Sequence, residues 1–173
     1  MHRGVTGEWT RNLIAQMREK VPGVVLRTTM IVGFPGETPD DFEQLLEFVR
    51  EARFERLGAF TYSEEEGTFG AAHFQDDIPE EVKRQRLDAL MELQSEISMD
   101  YNLSRVGSTV KVLVDYFSQG LLVCRSQGES PEVDGEILVK CNEEDNPASL
   151  VGKFIDVKIT GADTYDLMAV RIP

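Results

Sequence analysis

The sequence predicts two different parts in one chain, an α/β part followed by a small all-β barrel. In the first hundred residues, segments with apolar residues at helical spacing alternate with short β-branched segments, the order of a parallel α/β sheet. After Gly107, short apolar or alternating runs are separated by Gly, Asn, Pro and Asp. Five such runs favour an OB-like barrel. We therefore predict domains over residues 1–105 and 106–173.

Helix and strand signals in the α/β part are clearest at its second helix. Thr38 can cap this helix, Pro39 fits its first position, and Asp40 and Asp41 complement the positive end of the helix dipole. Trp9 lies on the apolar face of the first helix and is predicted to be a core residue. The first strand is apolar enough to be buried on both faces. In order, the predicted elements are a helix over 6–20, a strand over 24–32, a helix from residue 38, a strand over 57–62, a polar loop over 63–77 and a helix from 78 to about 103.

The barrel part is predicted from its runs of apolar residues. The predicted strands cover residues 110–114, 121–124, 136–139, 154–159 and 165–170. Their shortness and the turn residues between them are typical of a small closed barrel.

The composition excludes several classes of protein. Hydrophobic residues make up 41% of the 173 residues, and no apolar run approaches the roughly 20 residues that cross a bilayer. The first residues lack the apolar segment of a secretion signal. Cys124 and Cys141 are the two cysteines, which indicates a reducing compartment rather than a disulfide framework. We expect a cytoplasmic protein without a membrane partner.

The net charge of −13 arises from 18 basic and 31 acidic residues. The acidity is spread along the chain, with 11 basic and 20 acidic residues over 1–100 and 7 and 11 over 101–173. Such a surface repels a polyanion such as RNA and attracts a basic protein. The alternative explanation is that these charges serve solubility alone.

A glycine-bearing turn follows the first strand at residues 33–36. In α/β folds, ligands bind at the carboxyl ends of parallel strands. Gly33 and Gly36 would let the backbone approach a ligand, and free amides before the next helix favour anionic groups. The alternative is a tight strand–helix turn without a ligand, because this segment lacks a phosphate-loop fingerprint.

Four segments resemble one family. Residues 27–38 resemble the fifth strand and following loop of the radical S-adenosylmethionine methylthiotransferases. Residues 1–4 resemble their Met-x-Arg-Gly, and residues 62–68 their sixth-strand motif. Residues 125–127 and 131–135 resemble their appended TRAM barrel. The resemblance implies that the chain is the C-terminal part of a partial TIM barrel, the radical S-adenosylmethionine domain, followed by a TRAM barrel, with Met1 internal to a longer protein.

The resemblance also implies site residues. The cofactor S-adenosylmethionine would contact the backbone of the first turn and the end of the next strand, namely Gly33, Phe34, Pro35, Gly36, Glu37, Tyr62 and Ser63. The substrate would meet acidic residues of the next loop and of the barrel together with one arginine near the N-terminus, namely Arg3, Glu65, Glu66, Glu129, Glu132 and Glu136. No catalytic residue is assigned.

Two branches of this family compete. One methylthiolates adenosine in transfer RNA, and the other methylthiolates the β-carbon of an aspartate in small-subunit ribosomal protein S-twelve. Thr29 stands where the transfer-RNA enzymes usually have Asp, and Glu65-Glu66 where they commonly have Arg-Pro. The acidic barrel also suits a basic ribosomal protein better than RNA. These features favour the protein-modifying branch. The alternatives are the transfer-RNA enzyme and a docking module without catalysis.

The chain departs from the family in its cysteines. Enzymes of this class hold [4Fe–4S] clusters through cysteine thiolates, and the first cluster needs Cys-x-x-x-Cys-x-x-Cys, which this sequence lacks. The ligands of both clusters of the parent enzyme are therefore expected outside this chain, and no metal ligand is predicted within it. We expect the chain to be inactive on its own.

Overall fold

The computed structural model describes residues 4–141 and 146–172. The chain divides into two units, Met1–Ile97 and Ser98–Pro173. Arg3, a predicted substrate contact, lies outside the described residues. Within the described ranges, no helix has both the length and the apolar character needed to cross a membrane.

The first unit alternates helices and strands as predicted. Local signals set the starts of its helices: the Thr6 hydroxyl caps α1 by accepting a hydrogen bond from the Trp9 amide, and Thr38 and Asp41 form a reciprocal capping box on α2. The elements are α1 (Gly7–Lys20), β1 (Arg27–Val32), α2 (Pro39–Ala52), β2 (Arg56–Thr61), α3 (Phe69–His73) and α4 (Glu80–Arg105). The short helix α3 lies in the segment predicted as a polar loop.

The strands β1 and β2 are parallel and in register, from Arg27 opposite Arg56 to Val32 opposite Thr61. Only one face of this pair packs on the helices, where Val32 and Leu57 join the core. On the other face Ile31 and Phe60 are 44% and 64% exposed. The prediction that β1 is buried on both faces is therefore wrong for the described chain, because the helices cover a single face of the two strands. The buried core consists of Val32, Leu46, Val49, Ala52, Phe54, Leu57, Leu90 and Ile97.

Trp9 was predicted to be a core residue, and the structure contradicts this. Its side chain is 53% exposed, and α1 contains no buried residue. The helix packs against the core through Ile14. At about 100° per residue, Ile14 lies about 140° around the helix from Trp9. The apolar residues of α1 therefore cover a wider arc of the helix surface than the arc that contacts the core, and Trp9 lies outside the contact.

The second unit contains the closed barrel that the sequence predicts. Its strand order is β3-β4-β5-β7-β6, and β6 pairs with β3 to close it. The pair β5 and β7 is parallel and the other pairs are antiparallel, the Greek-key arrangement of an OB-like fold. The elements are β3 (Thr109–Ser118), β4 (Leu121–Arg125), β5 (Ile137–Lys140), a short α5 (Pro147–Leu150), β6 (Phe154–Ala162) and β7 (Leu167–Arg171).

The end of α4 packs against the barrel within the second unit. The Asn102 amide, which is fully buried, donates hydrogen bonds to the carbonyl oxygens of Asp163 and Thr164 at 3.0 and 3.2 Å. Just after the helix, the Gly107 amide donates to the Ile159 carbonyl at 2.9 Å. The division between units accordingly falls inside α4, and the domain boundary at residues 105–106 stays a prediction.

Candidate functional site

The carboxyl ends of β1 and β2 bring the predicted cofactor residues together. We call residues 33–37 and 62–63 the strand-end loops. The Tyr62 amide donates to the Val32 carbonyl at 2.8 Å, so that the second loop begins beside the first. The ring of Phe34 meets Tyr62 edge to face, with centroids 5.1 Å apart, and meets Phe74 in the same way at 5.7 Å. Two segments that are well separated in sequence therefore form one surface.

The strand-end loops differ in how much of each residue is accessible. Gly33 and Pro35 are buried and fix the path of the turn. The exposed groups are Gly36 and Ser63, while the remaining members, Phe34, Glu37 and Tyr62, are half-buried. A ligand at this surface would meet backbone, a hydroxyl and aromatic edges, which suits a flat, largely neutral group.

The amides of both glycines in the first loop are already occupied. The Gly33 amide donates to Glu37 Oε1 at 3.1 Å, and the Gly36 amide donates to Asp77 Oδ1 at 3.0 Å. At the start of α2, the Thr38 amide donates to Asp41 Oδ2 at 2.9 Å. The amides of Gly33, Gly36 and Thr38 are therefore not free for an anion, because carboxylates of the chain take the positions that an anion would need.

We predict that inorganic phosphate does not bind at the strand-end loops. An incoming anion would have to displace Glu37 and Asp77 from their amides and approach two carboxylates. Phosphate titrated into the chain should leave the amide nuclear magnetic resonances of Gly33 and Gly36 unshifted. The amide of Gly152, which donates to the Val114 carbonyl in the barrel, serves as the control resonance. A saturable shift of Gly33 and Gly36 alone would contradict the prediction.

An acidic loop follows β2. Glu64, Glu65 and Glu66 are all exposed. Glu64 and Glu66 line a shallow depression with the start of α3, whose cap is Thr68. The two predicted substrate contacts Glu65 and Glu66 thus lie at the surface, adjacent in sequence to the second strand-end loop, and are open to a partner.

A second acidic depression lies on the barrel, and we call it the barrel groove. Arg125 Nε is 3.0 Å from both carboxylate oxygens of Asp115. The Tyr116 hydroxyl donates to Glu136 Oε1 at 2.7 Å, which raises the pKa of Tyr116. Glu132 is exposed, with a left-handed backbone. The groove is lined by Asp115, Tyr116, Val123, Cys124, Arg125, Ser130, Pro131, Glu132, Asp134, Gly135 and Glu136.

Glu129 is not part of this open surface, although the sequence predicts it as a substrate contact. It is 6% exposed, and Oε1 accepts a hydrogen bond from Arg105 Nη1 at 2.5 Å. Its other oxygen accepts from the amide and the hydroxyl of Ser126, at 2.8 and 2.6 Å. Burial raises the pKa of Glu129, but Arg105 and Ser126 outweigh burial and lower it. These contacts give the Glu129 carboxylate a structural role rather than an exposed, substrate-facing one.

The described cysteines do not fit an iron–sulfur cluster. Cys124 lies in the barrel core at 1% exposure, and burial raises the pKa of its thiol to about 12. Cys141 packs against the same core. Cluster ligation requires thiolates. Across residues 4–141 and 146–172, no group of three or more His, Cys, Asp or Glu could hold a metal ion.

Sequence reasoning missed two basic residues beside the strand-end loops. Lys83 and Arg86 on α4 are 1% and 8% exposed. Lys83 stands four and seven residues before Leu87 and Leu90, which pack in the core of this unit, so a lysine interrupts an apolar stripe of the helix. A lysine on the apolar side of a helix indicates a buried ion pair, because buried lysines are almost always paired.

Comparisons with known proteins bear on the barrel and on the family of the chain. Residues 106–172 match the family described as the TRAM domain. The barrel is a TRAM domain. Over nearly its whole length, the chain is also similar to proteins named ribosomal protein uS12 methylthiotransferase RimO. It is 50% identical to the protein from Bacteroides fragilis over 96% of this chain, 48% identical to that from Bacteroides thetaiotaomicron over 98%, and 47% identical to that from Thermosipho africanus over 96%.

These matches confirm the resemblance to the methylthiotransferases and favour its protein-modifying branch. The chain spans 38%, 38% and 37% of the length of the same three relatives. It is therefore homologous to a part of them.

Proposed function

We propose that this chain is the C-terminal portion of a cytoplasmic radical S-adenosylmethionine methylthiotransferase that modifies ribosomal protein uS12. The product would carry a methylthio group in place of a hydrogen on the β-carbon of an aspartate. The observation that carries this proposal is the identity of about 50% along 96% of the chain with relatives named for that activity. The mixed α/β unit followed by a TRAM barrel is consistent with it.

The strand-end loops are the proposed contact for S-adenosylmethionine, which when bound supplies the radical and the methyl group in this class of enzyme. Phe34 and Tyr62 offer aromatic edges for the adenine, and Ser63 and the Gly36 backbone offer polar contacts. The occupied amides of the first loop support a neutral or cationic ligand over a phosphate-bearing one. The two [4Fe–4S] clusters of the parent enzyme would be held by residues outside the described ones.

The acidic residues that are exposed or half-buried at the surface are the proposed contacts for uS12. They lie in two places, Glu65 and Glu66 after β2 and Glu132 and Glu136 at the barrel groove; Arg3 stays a proposed contact from the sequence alone. A basic ribosomal protein would be attracted by these carboxylates, mainly through faster association.

The two alternatives are less well supported. A transfer-RNA substrate disagrees with the names of the relatives and with a net charge of −13, because nucleic-acid binding relies on cationic contacts to phosphate. A docking module without catalysis is compatible with the exposed carboxylates, but the similarity also extends over the α/β unit.

The test replaces two of the groove carboxylates, Glu132→Lys with Glu136→Lys. Purified uS12 should then associate about tenfold more slowly with the double variant, because opposite charges accelerate encounter. Binding by the original chain should also weaken as salt shortens the Debye length from about 10 Å at 0.1 M to about 3 Å at 1 M. Association rates are measured by surface plasmon resonance.

The matched control is Asp88→Lys with Glu92→Lys on α4, which changes the charge equally at two exposed residues outside the groove. Equal slowing in both double variants would show a general effect of charge and contradict the groove as the contact. Tighter binding of transfer RNA than of uS12 by the original chain would overturn the proposed substrate.

A further inference from the structure

Lys83 is a buried charge under the strand-end loops. Its ammonium donates to Asp76 Oδ2 at 2.5 Å and to Glu80 Oε1 at 2.7 Å, and it reaches the Tyr62 carbonyl at 3.4 Å. It also lies 5.7 Å from the centre of the Tyr62 ring. Burial lowers the pKa of Lys83, but the two carboxylates outweigh burial and raise it. A paired ammonium therefore underlies the second strand-end loop at neutral pH.

The stem of the same side chain lies against the first loop. A Cβ atom placed on Gly33 would overlap Lys83 Cγ and approach Lys83 Cδ to 3.1 Å. Gly33 also has a φ of 74°, in the left-handed region that favours glycine. Glycine is required here twice, once for the turn and once to admit the lysine stem.

Arg86, one helical turn further along α4, fastens the first loop through Glu37. Its Nη1 donates to Glu37 Oε1 at 2.6 Å and to the Glu37 carbonyl at 3.2 Å. The same carboxylate oxygen accepts the Gly33 amide. Because Arg86 and Glu37 are both largely buried, with side chains 9% and 13% exposed, this contact is screened little by solvent.

The segment before α4 completes the arrangement. Asp76 pairs with Lys83, and its neighbour Asp77 accepts the Gly36 amide at 3.0 Å. The chain of contacts therefore runs from Lys83 through residues 76–77 to Gly36, and separately from Arg86 through Glu37 to Gly33. Each cation supports a different amide of the same turn.

We infer that Lys83 and Arg86 are positioning residues that hold the two strand-end loops, from behind, in the shape that receives the ligand. Neither side chain offers an open surface to that ligand, since both are buried beneath the loops. The identity of the ligand rests on the proposed function, whereas the support of the loops rests on the contacts above. The side chains that fix the shape of the site therefore come from a helix, which is more rigid than the loops that would contact the ligand.

The test measures amide hydrogen exchange of the chain in Lys83→Met and Arg86→Met. We expect Lys83→Met to speed exchange at Gly36, and Arg86→Met to speed exchange at Gly33, each by about tenfold or more, because hydrogen bonds to charged groups are among the stronger ones. The barrel amide of Gly152 should be unchanged. Arg84→Met, which removes an exposed arginine of the same helix, is the matched control and should change none of these amides.

If Lys83→Met does not fold, Glu80→Gln replaces it. This change keeps Lys83 and removes only its exposed partner, whose side chain is 74% exposed, and a smaller acceleration at Gly36 is expected. Uniform acceleration across the first unit, or none at Gly33 and Gly36, would overturn the inference, since a merely stabilising role would not distinguish the two amides.

A second measurement separates this inference from the proposed function. In a longer enzyme that carries this sequence, Lys83→Met and Arg86→Met should raise KM for S-adenosylmethionine about tenfold with kcat and cluster absorbance little changed, since misplaced loops weaken binding of the ligand. Accelerated exchange together with an unaltered KM would leave the positioning of the loops established and would overturn the loops as the S-adenosylmethionine contact.

Discussion

Replacing Glu129 by Gln should destabilise the barrel by about 3 kcal/mol or more, because removing one partner of a buried ion pair leaves the other charge uncompensated. The side chains of Arg105 and Glu129 are only 12% and 2% exposed. Glutamine would keep the shape and could still accept from Ser126, but Arg105 would lose its counter-charge. Denaturant unfolding, followed by a probe of the barrel, measures the loss of unfolding free energy.

The same pair makes the stability of the barrel depend on pH. The Arg105 guanidinium and the Ser126 hydrogen bonds hold the pKa of Glu129 below its ordinary value in the folded chain. A group of this kind contributes stability that is fully present above its unfolded pKa and is lost as pH falls through its folded pKa. The advantage of the original chain over Glu129→Gln should therefore be constant near neutral pH and shrink below about pH 4.

Glu132→Gln is the control for both measurements. Glu132 is exposed and belongs to the same loop, and exposed substitutions away from special contacts change stability by about 0.5 kcal/mol or less. Equal unfolding free energies for the two variants at neutral pH, or a difference that does not vary with pH, would contradict the structural role of Glu129.

The burial of Glu129 could not be predicted from the sequence. Its carboxylate follows a barrel strand among other acidic residues, and it reads as part of an acidic surface. Burial depends on Arg105, 24 residues earlier, which lies at the end of α4. Lys83 is a similar case, because its counter-charge at Asp76 and its packing under Gly33 join three separate segments. Pairings over such separations leave no local pattern.

Features set by neighbouring residues were predicted well. The start of α2 follows from Thr38, Pro39 and Asp41, and the capping box is present. The five barrel strands follow from apolar alternation, which marks the inner face. The exposed face of β1 was not predicted, because exposure depends on which elements cover the sheet rather than on the strand itself.

The two short helices were not predicted from the sequence, for a different reason. The helices α3 and α5 have five and four residues. They are too short to repeat the apolar spacing over two turns, and that repeat is what identifies a helix from the sequence. The strand-end loops were identified by their position at strand ends, but the occupation of their amides by Glu37 and Asp77 depends on side-chain geometry.

Replacing Gly135 by Ala should also disrupt the barrel, by about 3 kcal/mol or more, at the upper end of what overpacking costs. A Cβ atom at Gly135 would collide with the carbonyl oxygen of Tyr165 and lie 2.5 Å from its carbonyl carbon. This obstacle is backbone, so no side-chain rotation can relieve it. Adjacent hydrogen bonds hold the two segments together, from the Glu136 amide to Asp166 and from the Leu167 amide to the Glu136 carbonyl.

Gly161→Ala is the matched control, since a Cβ there would make an ordinary contact of 3.6 Å with the Met168 side chain. Its unfolding free energy should stay within about 1 kcal/mol of the original. Gly135→Ala should also speed amide exchange at Glu136 and Leu167 before the rest of the barrel, because the backbones must separate there first. Comparable stability of the two alanine variants would contradict the prediction. It would show that the backbones at Gly135 and Tyr165 can move apart without loss of stability.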